Sequence, residues 1–114
     1  MENNNPDLDV VFHALADPTR RAVIQRLTRG EATVSELHAP FDMGLPSFLK
    51  HLGVLEAAGL LSSAKAGRVR TCALAPEKMQ AAERWFEDQR AFWAARYDQL
   101  DSLLATLKGE TDDT

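Results

Sequence analysis

Cysteine is nearly absent from this sequence, since Cys72 is the only one among 114 residues. A single cysteine excludes an internal disulfide and any metal site built from several thiolates of one chain. Histidine is also scarce: three residues lie at positions 13, 38 and 51, without the spacing of metal ligands, and residues 76–114 contain none. We therefore expect neither a bound metal ion nor a cofactor.

Long hydrophobic runs and catalytic signatures are lacking as well. No apolar run approaches the roughly 20 residues that a membrane helix needs, and the opening MENNNPDLDV lacks the basic and apolar regions of a signal peptide. We expect a cytoplasmic protein with no membrane partner. No nucleophile–base pair, paired carboxylates or Gly-rich phosphate loop is visible, so an enzyme is not expected.

Charge is divided unevenly along the chain, whose net charge is −4. Residues 18–75 carry eight Lys/Arg against four Asp/Glu, whereas the remainder carries five against thirteen. A basic middle between acidic ends fits a middle segment that meets a polyanion. Chance clustering in a short chain is the alternative, and charge alone leaves it open.

Apolar spacing and cap residues predict the first two helices. A short amphipathic helix begins near Pro6, with apolar residues at i, i+3, i+4 and i+7, namely Leu8, Val11, Phe12 and Leu15. Asp17 is a good N-cap and Pro18 a good first residue for the second helix, which Gly30 ends. The predicted core side of the second helix comprises Ala22, Val23, Ile24 and Leu27.

The next segment has the arrangement of a helix-turn-helix. Thr33 with Glu36 three residues later forms a capping-box pattern that opens a short third helix. A fourth helix over residues 46–58 turns Phe48, Leu52 and Leu55 inward, and Gly59 ends it. Two helices joined by a turn, the second with polar residues at its front, are typical of DNA-binding proteins.

A basic hairpin and a long helix complete the chain. Residues 60–74 read as two strands with Ala66-Gly67 at the tip, the wing of a winged helix, and strand alternation places Arg68 and Arg70 on one face. A last helix of about thirty residues starts at Pro76 and would span about 45 Å. Its broad apolar face predicts a twofold dimer formed through the first and last helices; the alternative is a helix folded back over its own core. The predicted dimer interface comprises Leu8, Val11, Phe12, Leu15, Phe86, Trp93, Tyr97, Leu100 and Leu104.

Four stretches resemble the ArsR-type winged helix-turn-helix transcriptional regulators: FHALADPTRRAVIQRL, TVSELHAPFDMGLPSFLKHLGVLEAAGLL, GRVRTCAL and AERWFEDQRAFWAARYDQLDSLL. The last stretch is similar to the metal-free subgroup of that family. The resemblance implies a homodimer that represses transcription and releases DNA on a signal. It also marks departures, because Phe48 and Leu49 stand where the family commonly has a smaller aliphatic residue and Ser. Gly44 likewise replaces a common Ser cap, and Gly53 a common Lys or Arg.

The fold class expected is mainly α with a small β-hairpin: one winged-helix domain over residues 7–107, with disordered ends at 1–6 and 108–114. Its predicted DNA-binding residues are Ser47, Leu49, Lys50, His51, Lys65, Arg68, Arg70 and Arg20. For Arg20 and Arg21, phosphate contact is one role, and for one of them a structural pairing with an acid such as Asp17 or Glu36 is favoured. For His51, phosphate contact and an orienting hydrogen bond inside the motif stay equally open. For Leu49, contact with a thymine methyl and a rearranged helix are both open.

The function predicted is that of a dimeric, sequence-specific regulator, most simply a repressor, whose partners are double-stranded DNA and a second copy of itself. The helix over residues 46–58 enters a major groove and the wing over residues 60–74 contacts the flanking backbone. Its operator would be an inverted repeat. Two alternatives remain at this stage: a winged-helix module that binds another protein, and a regulator that senses a small apolar ligand between the first and last helices.

Overall fold

The computed structural model describes residues 6–112, and its internal contacts divide the chain into two units, Met1–Ala82 and Glu83–Thr114. Five helices and three strands confirm the predicted winged helix-turn-helix architecture. In chain order they are α1 (Pro6–Leu15), α2 (Pro18–Leu27), β1 (Ala32–Thr33), α3 (Val34–His38), α4 (Leu45–Ala57), β2 (Leu61–Ala66), β3 (Val69–Leu74) and α5 (Met79–Asp112). The predicted irregular N-terminus lies outside the described residues except for Pro6, which opens α1.

Local side-chain chemistry sets the beginnings of α2 and α3, as predicted. Asp17 caps α2 by accepting a hydrogen bond of 3.0 Å from the backbone N–H of Arg20, and Pro18 follows in the first turn. The Thr33 hydroxyl accepts from the Glu36 N–H while the Glu36 carboxylate accepts from the Thr33 N–H, at 3.1 and 2.8 Å. This reciprocal pair satisfies backbone donors that the first turn leaves without helical partners.

The three strands form an antiparallel sheet in the order β1-β3-β2, in which Ala32 pairs with Cys72 and Lys65 with Arg70. The sequence did not predict β1. The predicted tip is wrong by one residue, because Gly67 and Arg68, not Ala66 and Gly67, connect the strands. Gly67 has φ +64° at the first turn position, where a two-residue hairpin turn favours glycine. Arg68 therefore belongs to the turn, and its predicted strand alternation with Arg70 does not apply.

The core of the first unit is apolar throughout its described part. Phe48, Leu52 and Leu55 are buried on one side of α4, as their spacing predicts. On α2, Val23 and Leu27 are buried, but Ile24 is only partly buried and Ala22 is exposed, so the predicted core side of α2 was too broad. Leu8 and Val11, which we predicted at a dimer interface, are buried in the single chain and contribute to its core, whereas Phe12 and Leu15 remain partly exposed.

The last helix, α5, is 34 residues long. It begins at Met79, three residues later than predicted, because Pro76–Lys78 form a turn. It continues through Asp112 and so includes most of the segment 108–114 that we predicted to be irregular; residues 113–114 lie outside the described residues. No helix within residues 6–112 is long and apolar enough to cross a membrane.

Candidate nucleic-acid interface

Contacts made by Phe48 and His38 hold α4 against α3. The Phe48 ring is completely buried and lies 5.1 Å from the His38 ring and 5.4 Å from the Phe41 ring, measured between centroids. His38 Nε2 hydrogen-bonds the Met43 carbonyl at 2.7 Å, which fixes the turn before α4. The larger aromatic residue at position 48 is thus a core residue that joins the two helices of the motif.

The exposed face of α4 carries both polar and apolar side chains. Successive residues of a helix point about 100° apart, so Lys50 lies near the centre of the face opposite the buried Phe48. Leu49 lies about 100° from Lys50 on one side, with Leu45 one turn before it at the edge of the buried side, and Ser47 lies about 60° away on the other. All four side chains are exposed. The predicted contact residues of α4 therefore share one accessible surface, with the exception of His51.

His51 lies at the edge of this face, in a network with α1 and α2. Its Nδ1 accepts a hydrogen bond from Arg20 Nη1 at 3.1 Å, since a guanidinium can only donate. Arg20 also donates from Nε to the Ala14 carbonyl at 2.7 Å and from Nη2 to the His13 carbonyl at 3.3 Å. Asp17 Oδ2 stands 3.7 Å from His51 Nδ1, beyond hydrogen-bonding distance. Arg20 thereby connects the end of α1 to α4.

The same region lowers the pKa of Asp17. The main cause is the hydrogen bond from the Arg20 backbone N–H, and the charge of Arg20 adds to it, although desolvation opposes them. The pKa of Glu36 is lowered chiefly by the hydrogen bond from the Thr33 backbone N–H. Both carboxylates consequently favour their charged forms at the starts of α2 and α3.

A second network connects α4 to the wing. Arg70 Nη2 donates to Glu56 Oε1 at 2.7 Å, and Arg70 Nε donates to the Ser63 hydroxyl at 3.0 Å. The Ser63 hydroxyl in turn donates to Glu56 Oε2 at 3.1 Å. Because Glu56 compensates the charge of Arg70, the cross-strand pair of Lys65 and Arg70 does not place two uncompensated cations side by side.

Of the predicted contact residues, Lys50, Lys65 and Arg68 are exposed and take part in none of the salt bridges found among residues 6–112. Lys65 and Arg68 line an open groove of about 730 Å³ between α3, the start of α4 and the wing. Leu45, Leu49 and Val69 line the same groove. The surface is thus cationic at the hairpin and apolar at the helix.

The predicted contact residues occupy three environments. Leu49, Lys65, Arg68 and Arg70 line the groove, and Ser47 and Lys50 lie on the exposed face of α4. Arg20 and His51 are bonded to each other in the first network. The sequence analysis missed Leu45 and Val69, although the spacing of Leu45 and Leu49 at i and i+4, off the core side, was a readable signal.

Cys72 lies apart from this surface, whereas His38 lines the groove and His51 belongs to the first network. Cys72 is completely buried in the sheet, and desolvation raises the pKa of its thiol. Throughout the part of the chain that the structure describes, no three His, Cys, Asp or Glu side chains converge as a metal site requires.

Comparison with known proteins points in one direction. A family model described as a helix-turn-helix domain matches residues 15–64. The HTH-type transcriptional regulator Rv2034 of Mycobacterium tuberculosis is 34% identical over 106 residues, which cover 93% of this chain and 94% of that protein. The transcriptional repressor SdpR of Bacillus subtilis is 31% identical over 75 residues, 66% of this chain and 83% of SdpR. The crystal structure of an ArsR family transcriptional regulator matches with a TM-score of 0.76 and 53% identity, over 82% of this chain and 97% of that one.

Proposed function

The chain belongs to the ArsR family of winged helix-turn-helix transcriptional regulators, and we propose that it is a homodimeric repressor that binds an inverted-repeat operator in the cytoplasm. One observation carries the proposal. Lys65 and Arg68 at the wing border the same groove as the start of α4, and neither is engaged by an acidic side chain within the described residues. The proposed activity is binding, and no catalytic step is part of it.

The proposed contacts divide by type. Ser47 and Lys50 reach base edges or phosphate from α4 in the major groove, while Lys65 and Arg68 contact the flanking backbone. Arg20 and Arg70 act mainly as positioning residues, because their guanidinium groups already bond within the protein. His51 stands between these roles: its Nδ1 is occupied by Arg20, which leaves the Nε2 proton as its donor.

The proposed dimer rests on the exposed apolar side of α5. Phe92, Trp93, Tyr97, Leu100, Leu103, Leu104 and Leu107 each expose about half of their surface. The predicted interface residues Phe86, Trp93, Tyr97, Leu100 and Leu104 are spaced by seven, four, three and four, so they share one side of the helix. An apolar stripe of this length is best covered by the same stripe of a second copy. Phe12 and Leu15 stay predicted members of the interface. Two copies of α4 would then lie in major grooves about 34–36 Å apart.

Fluorescence anisotropy with labelled duplexes covering the upstream region of the protein's own gene tests the DNA-binding part. Neutralising one phosphate contributes about 0.9 to the slope of log affinity against log salt. Lys65→Gln, which removes two such contacts from a dimer, should therefore lower the slope by about 2. Arg68→Glu should weaken binding further. Arg29→Glu is the matched control, because Arg29 is exposed at the end of α2 and does not line the groove.

Two results would contradict the proposal. If the parent bound its upstream duplex no better than a scrambled duplex of the same length, the winged helix would act through a protein partner instead. If Arg29→Glu changed the slope as much as Lys65→Gln, the contact surface would lie elsewhere.

The dimer is tested separately by sedimentation equilibrium at micromolar concentration, where Trp93→Glu should shift the parent dimer to monomer. A reporter gene under the bound promoter should be more active when the regulator is absent.

A further inference from the structure

The groove beside α4 has an unusual composition for a DNA-facing surface. Four large hydrophobic residues of the described part of the Met1–Ala82 unit are exposed: Val10, Leu45, Leu49 and Val69. Three of them, Leu45, Leu49 and Val69, line this one groove and expose 45%, 37% and 52% of their surface. Single exposed apolar residues need no explanation, but three that converge beside cations indicate a ligand with both charge and apolar groups.

A DNA major groove offers that combination. Its phosphates are anionic, and the C5 methyl of thymine is the apolar group that a base pair presents there. Leu45 and Leu49 lie one helical turn apart on the same side of α4, so their side chains form one continuous apolar strip along the groove. Lys65 and Arg68 border the strip on the hairpin side and match the phosphates that flank a thymine-bearing step.

We propose that Leu45 and Leu49 determine operator specificity by packing on thymine methyl groups, with Val69 closing the apolar strip from the wing. This inference rests on the proposed function. Thymine is selected because its methyl removes apolar leucine surface from water, whereas cytosine has only a hydrogen at that ring position and places its neighbouring amino donor against apolar side chains. The specificity of this chain at those positions is thus apolar, and the polar residues of α4 contribute elsewhere in the half-site.

The size of the effect follows from the methyl group. Burying one methylene-sized group contributes about 0.8 kcal/mol, which corresponds to about a fourfold change in affinity for one half-site. Replacing thymine by deoxyuridine removes only that methyl and preserves base pairing. The expected loss on such replacement is therefore about fourfold per read thymine, and about fifteenfold when both half-sites are replaced.

The test is a cycle of protein and DNA changes. Duplexes that bind the full chain are first selected from a random-sequence pool, and each thymine of the selected half-site is then replaced by deoxyuridine. The parent should lose about fourfold at one or two positions. Leu49→Ala should bind the thymine duplex more weakly and show no further loss on replacement at one of them. Ser47→Ala is the matched control on the other side of the same exposed face, and it should keep the full fourfold loss even if its overall affinity falls.

The outcomes separate this inference from the proposed function. Salt-dependent, selective binding with no loss at any deoxyuridine, or with the same loss in Leu49→Ala as in the parent, would overturn thymine recognition and leave the regulator intact. A selected half-site without an invariant thymine would do the same. If no duplex is enriched over the random pool, the DNA-binding function itself is refuted, and this inference with it.

Discussion

Two leucines of α4 should lose very different amounts of stability when each is replaced by alanine. Leu52 is 1% exposed and lies in the core, whereas Leu49, three residues earlier, is 37% exposed at the groove. Truncation of a fully buried leucine to alanine loses the transfer free energy of three carbons and leaves a cavity, at a cost of about 2.7–5 kcal/mol. Truncation at Leu49, on the wall of an open groove, should cost less than about 1 kcal/mol, because it leaves no enclosed cavity and alanine favours the helix.

Urea unfolding followed by circular dichroism measures both costs. The chain concentration must be the same for each variant, since the stability of a dimer depends on it. Leu52→Ala should lower the free energy of unfolding by at least about 2 kcal/mol more than Leu49→Ala. Equal costs would refute the burial pattern of α4, and a loss above about 2 kcal/mol in Leu49→Ala would show that Leu49 is a core residue, which removes the basis for thymine recognition.

Three further predictions concern glycine, acid and the thiol. Gly53→Ala should raise the free energy of unfolding by about 0.5–1 kcal/mol, since a Cβ there meets open space, whereas Gly59→Ala should lower it by at least about 1 kcal/mol, since Gly59 has φ +76° and a Cβ would stand 2.6 Å from Lys78 Cγ. Thermal melts of the pair check both signs, and equal shifts would contradict them. Because the pKa values of Asp17 and Glu36 are lowered on folding, their stabilisation is complete above the unfolded carboxyl pKa and is lost as pH falls through the lowered values. Asp17→Asn and Glu36→Gln should flatten the acid side of a stability–pH curve, and an unchanged slope would refute this. The raised pKa and burial of Cys72 predict that Ellman's reagent reacts slowly with the native protein and quickly in denaturant; fast native reaction would show that the sheet opens there.

The parts of the fold that follow from local chemistry were predictable. Asp17, Thr33 and Gly59 act on backbone groups within a few residues of themselves, so their caps can be read from the sequence. The inward side of α4 follows likewise from the spacing of Phe48, Leu52 and Leu55. The tip of the hairpin could not be predicted in this way, because glycine suits either central position of a two-residue turn and only the strand register, in which Ala66 pairs with Val69, decides which.

The features that could not be predicted from the sequence depend on contacts between residues that lie far apart in the chain. β1 has two residues and exists because Ala32 and Thr33 meet β3 about forty residues later. Arg70 was predicted as a DNA contact from its charge and its place in the wing, and Arg20 either as a phosphate contact or as a structural residue. In the structure Arg20 reaches His51 and Arg70 reaches Glu56. The charge of a basic side chain follows from the sequence, but its nearest hydrogen-bond acceptor depends on the folded structure.

The hydrogen bonds of Glu56, Ser63 and Arg70 bear on whether the protein or the duplex deforms when the two bind. They join α4 to the wing in the protein without DNA, so the spacing between these two proposed DNA-binding elements is fixed before binding. Adjustment then falls on the double helix, which pays an elastic cost that varies with its sequence. Base steps that the protein does not contact, such as flexible pyrimidine–purine steps, would in this way influence which sites the regulator binds.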